Sequence, residues 1–443
     1  MKVVVIGGVA AGMSAAAKIK RVSADTRVTV YEKSGYLAYG ACGLAFYVGG
    51  ANDGPAKLIA RSRAAFEQAG IKTFIHHEVT QVDTVNKVVV GKDLKTGDTF
   101  RDTYDKLMIA TGARAVIPPV EGSGKQGIYT LKTMEDGLKL KKAADSFGVR
   151  NVIVVGGGYI GVEVAEAMRR LGKNVVLLEE ADSILAAFEP EIAAIAAREI
   201  EKNGVEVRAG ERLRAFHGRD AVSEVATDSG TYEADLVVAA VGVVPNTAFL
   251  QGTGIKLAAN GAVVIDRQMR ASVPDIYAAG DCAQVYSSIR KENVYLPLGT
   301  TANKCGRIAG SNICGAQAEY VGTIGSAALK VFGLEAGRTG LSSAEAESLG
   351  YRFGTVLVES VNHPAYYPGM EPVTVKLVYE KPGFRVLGAQ LIGGAGSALR
   401  TDIFAMAVQR GMTTKELGMT DLIYSPPYAT VWDAVHIAAN AAR

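Results

Sequence analysis

Residues 151–180 read NVIVVGGGYIGVEVAEAMRRLGKNVVLLEE, and this stretch decides the fold. It predicts a buried strand, a glycine turn, a helix and a second strand, over 151–155, 156–161, 162–171 and 174–180. The turn fits the pattern G-x-G-x-x-G in full, and Glu179 follows eighteen residues beyond its last glycine. A strand, this turn, a helix and an acidic residue at that distance together predict a dinucleotide-binding unit.

Each glycine of that pattern has a physical reason. Gly156 allows the tight turn, Gly158 lets the backbone approach a pyrophosphate, and Gly161 lets the helix pack on the strand. The helix then begins with free N–H groups and the positive end of its dipole facing the phosphates. Glu179 can accept from both ribose hydroxyls, and its charge disfavours a 2′-phosphate, so NADH is favoured over NADPH. The alternative is a glycine-rich turn without a ligand.

The N-terminus repeats this plan. A strand, the turn GGVAAG, a helix and a strand are predicted over 2–6, 7–12, 13–22 and 27–32. Gly7 and Gly12 match the pattern, but Val9 stands where the second glycine belongs, so the backbone must meet a phosphate differently. Glu32, twenty residues after Gly12, restores the acidic position. Two such units, about 150 residues apart, predict two nucleotide-binding domains and therefore two nucleotides.

The rest of the chain completes an α/β architecture. The runs DKLMIATG (105–112) and DLVVAAVG (235–242) predict two more buried strands that end at glycine. Beyond about residue 322, alternating stretches predict antiparallel strands followed by a helix over 397–410. We therefore expect two Rossmann-like, doubly wound nucleotide-binding domains plus a C-terminal α+β domain.

Composition and charge exclude several classes of function. A chain of 443 residues is too long for one core, and a net charge of +3 suggests neither a nucleic-acid partner nor a membrane surface. No apolar run is long enough to cross a membrane. Four scattered cysteines without a C-x-x-C pair predict neither a disulfide framework nor a zinc site, and they favour a reducing cytoplasm. We assign no metal, because HHE at 76–78 points to alternate faces of a strand.

Taken in order, the motifs resemble those of the FAD-dependent pyridine nucleotide–disulfide oxidoreductases. They are GGVAAG, a cysteine, ATG at 110–112, GGGYIG, VGVVPN at 241–246, AAGDCA at 278–283 and PLGTTANKCGRIAG at 297–310. The resemblance covers essentially the whole chain. It implies a discontinuous FAD-binding domain, an NADH-binding domain and a dimerisation domain, over 1–112 with 245–322, 113–244 and 323–443.

The resemblance also implies the residues that hold the two nucleotides. Asp281 is predicted to lie on a tight turn at a helix start, and the resemblance implies that it meets the FAD ribityl chain; a plain helix cap is the alternative. The FAD residues implied are Gly7, Ala10, Ala11, Gly12, Glu32, Lys33, Val79, Ala110, Thr111, Gly112, Asp281 and Ala302. The NADH (or NADPH) residues implied are Gly156, Gly158, Tyr159, Ile160, Gly161, Glu163, Glu179 and Gly242. Among these, Tyr159 would gate the site and Glu163 would lie near the nicotinamide.

The stretch YGACGLAFY (39–47) contains the candidate nucleophile, Cys42. Many relatives carry C-x-x-x-x-C, but Tyr47 stands where the second cysteine would be, so an internal redox disulfide is excluded. This pattern resembles the single-cysteine branch of coenzyme A (CoA) disulfide reductases, NADH oxidases and NADH peroxidases. A helix start there would lower the thiol pKa. Oxidised Cys42 would then be a sulfenic acid or a mixed disulfide with an external thiol. The alternative is a buried structural cysteine.

Other positions favour the CoA-disulfide branch. The oxidases and peroxidases carry a histidine where this chain has Ala10, which cannot transfer protons. The segments HPAYYPG (363–369) and YSPPYATVWD (424–433) resemble those that bring two tyrosines to the partner subunit's cysteine. We match them to Tyr366 and Tyr424. Tyr367 and Tyr428 are the other choices in these segments, and plain interface aromatics are the alternative reading.

Cationic and polar positions are candidates for CoA. Three residues recur at spacings of four and three on one predicted helix face, and two more follow from the resemblance: Ser14, Lys18, Arg21, Lys72 and Asn303. A solvated basic face is the alternative. The chain departs from the branch at Ala45 and at residues 38–40, which leaves the preferred thiol open.

The predicted function follows from these positions together. We expect a cytoplasmic homodimeric flavoenzyme that reduces CoA disulfide with NADH or NADPH, with an active site completed across the interface. Reduction of CoA persulfide or polysulfide, an NADH oxidase or peroxidase reaction through a sulfenic acid, and a redox sensor without rapid turnover are the alternatives.

Overall fold

The structure, a computed structural model, describes residues 1–443, and its first part is a parallel sheet with a three-stranded antiparallel layer beside it. Its elements are β1 Lys2–Ile6, α1 Ala10–Val22, β2 Arg27–Glu32, α2 Leu44–Val48, α3 Arg63–Gln68, β3 Ile71–Ile75, β4 His77–Asp83, β5 Val88–Asp93, β6 Thr99–Thr103 and β7 Lys106–Ile109. Strand β1 lies between β7 and β2 and pairs parallel with both. Helix α1 begins three residues earlier than predicted, since the last residues of the GGVAAG turn are already helical.

The second part repeats the parallel sheet. Its elements are β8 Ala113–Ala115, β9 Ile128–Tyr129, α4 Met134–Ala144, β10 Asn151–Val155, α5 Tyr159–Arg170, β11 Asn174–Glu179, α6 Pro190–Lys202, β12 Val205–Ala209, β13 Leu213–His217, β14 Glu224–Thr227, β15 Thr231–Glu233, β16 Leu236–Ala239 and β17 Val243–Pro245. The sheet order is β12-β11-β10-β16-β9. Strands β8 and β17 pair antiparallel, where the chain enters and leaves this part. Helix α5, like α1, starts earlier than its predicted first residue, 162.

The chain then returns to the first sheet. The elements here are β18 Ile276–Ala278, β19 Val285–Ser287, β20 Glu292–Val294 and α7 Gly299–Ile313. Strand β18 pairs parallel with β7, which gives the first sheet the order β18-β7-β1-β2-β3. Helix α7 packs closely on α1, because a Cβ at Gly306 would lie only 2.4 Å from the Ala11 carbonyl oxygen.

The C-terminal part is an antiparallel sheet with helices. Its elements are β21 Ala327–Val331, β22 Leu334–Gly340, α8 Ser343–Ser348, β23 Phe353–Val361, β24 Pro372–Glu380, β25 Val386–Gly393, α9 Ser397–Arg410, α10 Thr414–Gly418 and α11 Ala434–Asn440. The sheet order is β21-β22-β25-β24-β23. The predicted fold class is confirmed, with two doubly wound parts and a C-terminal α+β part. None of the helices has the length and apolar character that a membrane span requires.

Candidate functional site

Cys42 is held between two helices of the second part of the chain. It lies in a three-residue 3-10 turn, Ala41–Gly43, directly before α2. On one side, the Tyr39 hydroxyl accepts the Met134 N–H of α4 at 3.3 Å. On the other side α2 packs on α5, so that a Cβ at Gly49 would lie 3.0 Å from Ala167. The thiol itself remains exposed.

The helix start predicted at Cys42 is confirmed, because the 3-10 turn Ala41–Gly43 runs directly into α2, but the expectation of a lowered thiol pKa is wrong. Helix α2 has only five residues, too few for a useful dipole. Cys42 is exposed at the surface, but the protein atoms packed around its sulfur partly desolvate it, and this desolvation raises the pKa of the thiol above its ordinary value. The Glu163 and Asp281 carboxylates raise that pKa further, whereas the Lys132 ammonium group lowers it. The sequence analysis missed Lys132, which donates to Asp281 at 2.7 Å.

Glu163 is an acid that titrates close to neutral pH. It lies on α5, one turn before Ala167, and burial raises its pKa to about 7, with a further contribution from the charge on Glu166. That charge is held in place, since Glu166 accepts from the Lys330 ammonium group at 2.6 Å and from the Phe332 N–H at 2.7 Å. Glu163 itself has no ion-pair partner among the salt bridges of the chain.

The two fingerprint turns have the same geometry. Gly7 and Gly156 have φ of +102° and +106°, which only glycine adopts readily. A Cβ at Gly12 would lie 1.9 Å from the Gly7 carbonyl oxygen, and one at Gly161 would lie 1.8 Å from that of Gly156. Helices α1 and α5 both start without a side-chain cap and without an acidic residue in the first turn. Their free N–H groups therefore suit a bound phosphate.

The acidic residues at the ends of β2 and β11 make the same kind of hydrogen bond to their glycine turns. Glu32 accepts the Gly8 N–H at 2.7 Å, and Glu179 accepts the Gly157 N–H at 2.6 Å. Each carboxylate is thereby fixed beside its turn, with lone pairs left for ribose hydroxyls. These two turns fit two dinucleotides.

Several of the FAD candidates lie around one cavity of about 320 Å³. Gly7, Glu32, Lys33, Val79 and Thr111 line it. Ala10, Ala11 and Gly12 form the start of α1, Ala110 and Gly112 flank Thr111 after β7, and Ala302 lies in the first turn of α7. The predicted helix start at Asp281 is wrong, because Asp281 lies in a turn between β18 and β19. The wall also includes Tyr31 and His77, which the sequence analysis did not single out.

The NAD(P)H candidates surround the start of α5. No atom lies within 4 Å of a Cβ placed at Gly158 or at Gly242, which leaves open space beside the turn. Ile160 is exposed, whereas the Tyr159 ring packs against Phe188 with centroids 5.9 Å apart. Burial raises the pKa of Tyr159 to about 12, so that its hydroxyl stays neutral.

A groove of about 370 Å³ brings some of the CoA candidates together. Ser14, Arg21 and Asn303 line it, and the Ser14 hydroxyl donates to the Asn303 side-chain oxygen at 2.7 Å. Arg61 and Arg307 line the same groove, and the sequence analysis missed both, since the loop before α3 and helix α7 are distant from α1 along the chain.

The structure does not place the two candidate lysines in that groove. The Lys18 Cβ lies against Gly310 of α7, 3.0 Å from where a Cβ on that glycine would be. The Lys72 ammonium group lies 4.8 Å from the centroid of the Phe74 ring.

Tyr366 and Tyr424 are brought together although 58 residues separate them. Their hydroxyl groups lie 2.7 Å apart, and the two side chains are 71% and 47% exposed. Tyr367 instead packs edge-on against His363, and Tyr428 is tied in through its carbonyl oxygen, which accepts from Arg400. The pairing of the two segments therefore favours Tyr366 and Tyr424 as a pair, facing outward from the C-terminal part.

Comparison with known proteins extends these observations. Residues 1–297 match the family described as pyridine nucleotide-disulphide oxidoreductase, and residues 326–435 match its dimerisation domain. The NAD(P)H coenzyme A polysulfide/persulfide reductase of Pyrococcus horikoshii is 35% identical over 99% of this chain and 98% of its own. The NADH oxidase of Methanocaldococcus jannaschii is 32% identical, over 99% and 98%.

A solved structure from the same group of enzymes is also similar to this chain over nearly its whole length. Reduced CoADR-RHD of Bacillus anthracis superposes with a TM-score of 0.96 at 30% identity, covering 99% of this chain and 79% of that one.

Proposed function

The chain belongs to the pyridine nucleotide-disulphide oxidoreductase family, and we propose that it reduces coenzyme A disulfide with NAD(P)H through Cys42. It is an FAD-dependent NAD(P)H oxidoreductase, as the family and the relatives are. The observation that carries the substrate proposal is the exposed, unpaired Cys42. No second thiol is near in sequence, and the other cysteines are buried or half-buried, so its disulfide partner must be an external thiol.

The proposed reaction starts with attack by the Cys42 thiolate on one sulfur of CoA disulfide. A Cys42–CoA disulfide bond forms, the original S–S bond breaks, and the first CoA leaves as a thiolate that takes up a proton. FAD, when bound and reduced by NAD(P)H, supplies the electron pair that releases the second CoA and restores the thiolate. Per turnover, one NAD(P)H and one proton convert one disulfide into two thiols.

Among the charges around Cys42, Lys132 favours the thiolate, whereas the Glu163 and Asp281 carboxylates oppose it. Lys132 lowers the pKa of Cys42, which works against the burial that raises it. Because Lys132 also donates to Asp281, its ammonium group is held in place rather than free to move away. Lys132 thus favours the attacking thiolate, while burial and the two carboxylates keep the pKa of the thiol above its ordinary value.

Recognition of CoA is assigned to the groove that Ser14 and Asn303 line. Three arginines, Arg21, Arg61 and Arg307, reach this groove from three different helices or loops. Guanidinium groups bind phosphates through paired, charge-assisted hydrogen bonds. The Ala38 and Gly40 lining places the groove within a few residues of Cys42 along the chain.

We assign the tyrosine pair to the partner subunit's reaction. Two hydroxyls 2.7 Å apart can donate one hydrogen bond outward, to the leaving CoA thiolate. This role requires a homodimer whose active site is completed across the interface, for which the dimerisation domain is the support. The enzyme is proposed to work in a reducing cytoplasm, where its four free cysteines stay reduced.

Reduction of CoA persulfide is the second candidate, supported by the 35% identical relative from Pyrococcus horikoshii. The same attack by Cys42 would then release sulfide instead of a CoA thiolate. Oxygen reduction is less well supported, despite the oxidase relative, because Ala10 lines the groove with a methyl group that cannot transfer a proton.

Anaerobic consumption of NADH with CoA disulfide as the sole acceptor tests the proposal. We expect two thiols released for each NADH, and a Cys42→Ser variant that keeps FAD but loses turnover. Cys314→Ser is the matched control, since Cys314 is a half-buried thiol away from the site. Full CoA-disulfide activity in Cys42→Ser would refute the mechanism. Turnover only with CoA persulfide, with sulfide as product, would select the second candidate.

A further inference from the structure

The C-terminal part of the chain holds in place one segment of the second part, the part that contains the GGGYIG turn. We call these contacts the clamp. Residues 184–189, here called the strap, follow β11 and precede α6. At one end the strap touches the fingerprint turn, because the Leu185 N–H donates to the Gly157 carbonyl oxygen at 2.8 Å. A Cβ at Gly157 would also lie 2.7 Å from the Ile184 side chain. The position of the strap is therefore coupled to the turn that would hold the pyrophosphate.

Phe188, within the strap, contacts Tyr159, the residue expected to gate the NAD(P)H site. It is buried, and its ring packs against Tyr159 with centroids 5.9 Å apart and planes inclined by 49°. Both neighbours of Phe188 in the chain are held by groups of the C-terminal part. A shift of the strap would therefore move the surface on which Tyr159 rests.

At Ala187, the clamp consists of the Arg338 guanidinium group. Arg338, on β22, donates to the Ala187 carbonyl oxygen and to the Glu345 carboxylate at 2.8 Å. Glu345 is itself shared with Arg290 at 2.9 Å, so Arg338 is held in place from the far side. Tyr159, Ala187 and Arg338 line a common cavity of about 420 Å³ at this junction.

At Glu189, the clamp consists of hydrogen bonds that Ser343 and Gln390 make to this buried residue. Its two oxygens accept from the Ser343 hydroxyl, and one of them also accepts the Ser343 N–H, all at 2.5 Å. The Glu189 N–H in turn donates to the Gln390 side-chain oxygen of β25. A carboxylate that is only 6% exposed requires such partners, because removing one would leave it unsatisfied.

The clamp also opposes local backbone strain. Leu185 has φ of +52°, an unfavourable conformation for a residue with a branched side chain. Such conformations persist only where the surrounding structure holds them. The strap is thus expected to relax when its supports are removed.

We propose that Arg338, Ser343 and Gln390 of the C-terminal part are positioning residues for NAD(P)H: by clamping the strap, they set where Phe188 and Tyr159 stand beside the fingerprint turn. The proposal deepens the proposed function, since it rests on Tyr159 acting at the NAD(P)H site. It assigns the C-terminal part a role in the first half of the reaction, besides subunit association. None of the three residues is proposed to touch the reacting atoms.

The test is anaerobic stopped-flow reduction of the bound FAD by NADH, in the holoenzyme without any acceptor. Arg338→Met is expected to raise the NADH concentration for half-maximal rate about tenfold, the effect of one lost charge-assisted hydrogen bond, while the limiting rate stays within about threefold. Arg338→Lys should recover part of that affinity. Arg385→Met is the matched control, because it removes an ion pair to Glu380 inside the same part of the chain.

A double-mutant cycle separates positioning from general loss of stability. If Arg338 acts through Phe188, Arg338→Met should have no further effect on NADH affinity in a Phe188→Ala background. Additive effects, or equal behaviour of Arg338→Met and Arg385→Met, would overturn the proposal. Should Arg338→Met fail to retain FAD, Ser343→Ala with Thr413→Ala as its control asks the same question, since Thr413 is a helix cap away from the strap.

The assay also separates this proposal from the proposed substrate. Because no acceptor is present, a failure to turn over CoA disulfide leaves the outcome of the clamp test intact. A wild-type flavin that NADH does not reduce would overturn the cofactor assignment and the clamp together.

Discussion

Replacing Glu163 by glutamine should make the stability of the enzyme less sensitive to pH. Burial raises the pKa of this carboxyl from its ordinary 4.5 to about 7 in the folded chain, so the folded state binds the proton more tightly than the unfolded state. The stabilisation from that proton is complete below pH 4.5 and is lost as the pH rises to about 7. Glutamine keeps the shape of the protonated acid and has no charge to lose.

The size of the effect follows from the shift. At about 1.4 kcal/mol for each unit of pKa, a rise from 4.5 to about 7 corresponds to about 3 kcal/mol of lost stability above neutral pH. We therefore expect Glu163→Gln to match the wild type at pH 4.5 and to exceed it in free energy of unfolding by about 3 kcal/mol at pH 9.

Urea unfolding of the holoenzyme at several pH values, followed by flavin release and by circular dichroism, measures this difference. Glu206→Gln is the control, because Glu206 lies in an exposed ion pair with Arg208 and should give no such trend. An advantage for Glu163→Gln that is equal at both ends of the pH range would refute the reasoning, since a constant gain reflects packing and not titration.

Two further predictions concern the acceptor half of the reaction. Tyr424→Phe removes one hydroxyl of the 2.7 Å pair with Tyr366 and should lower kcat with CoA disulfide at least about tenfold. The rate of flavin reduction by NADH should stay unchanged. An unaltered kcat would rule out the proposed role of the tyrosines. Arg307→Ala should raise KM for CoA disulfide about tenfold and leave KM for dithiols without phosphate unchanged, whereas equal losses for both would argue against phosphate recognition in the groove.

The main error of sequence-based reasoning was the direction of the pKa shift of the Cys42 thiol. A short apolar run after the cysteine predicts a helix start, and the chain does form a helix at Leu44, but only five residues long. The pKa of the thiol depends instead first on burial and then on Glu163 and Lys132, which lie 121 and 90 residues further along the chain. No local pattern contains that information, because the α2–α4 and α2–α5 contacts bring these groups together.

For a similar reason, only some of the candidate CoA residues line the groove. Helical spacing correctly relates Ser14 to Arg21, and both line the groove. The same spacing includes Lys18, yet its Cβ lies against Gly310 where α7 packs closely on α1, and Lys18 does not line the groove. Arg61 and Arg307 enter the groove from other elements, and only the packing of those elements reveals them.

The sequence by itself determined the fold class and the two dinucleotide turns, because those features depend on short-range rules. A glycine with positive φ, a close helix–strand approach and an acidic residue at the next strand end all lie within about thirty residues. The tertiary structure alone decided the charge around Cys42, the contact between the Tyr366 and Tyr424 hydroxyl groups, and the clamp on residues 184–189. Each of these joins groups from different parts of the chain, and their distances are set by packing of whole elements, which no local spacing encodes.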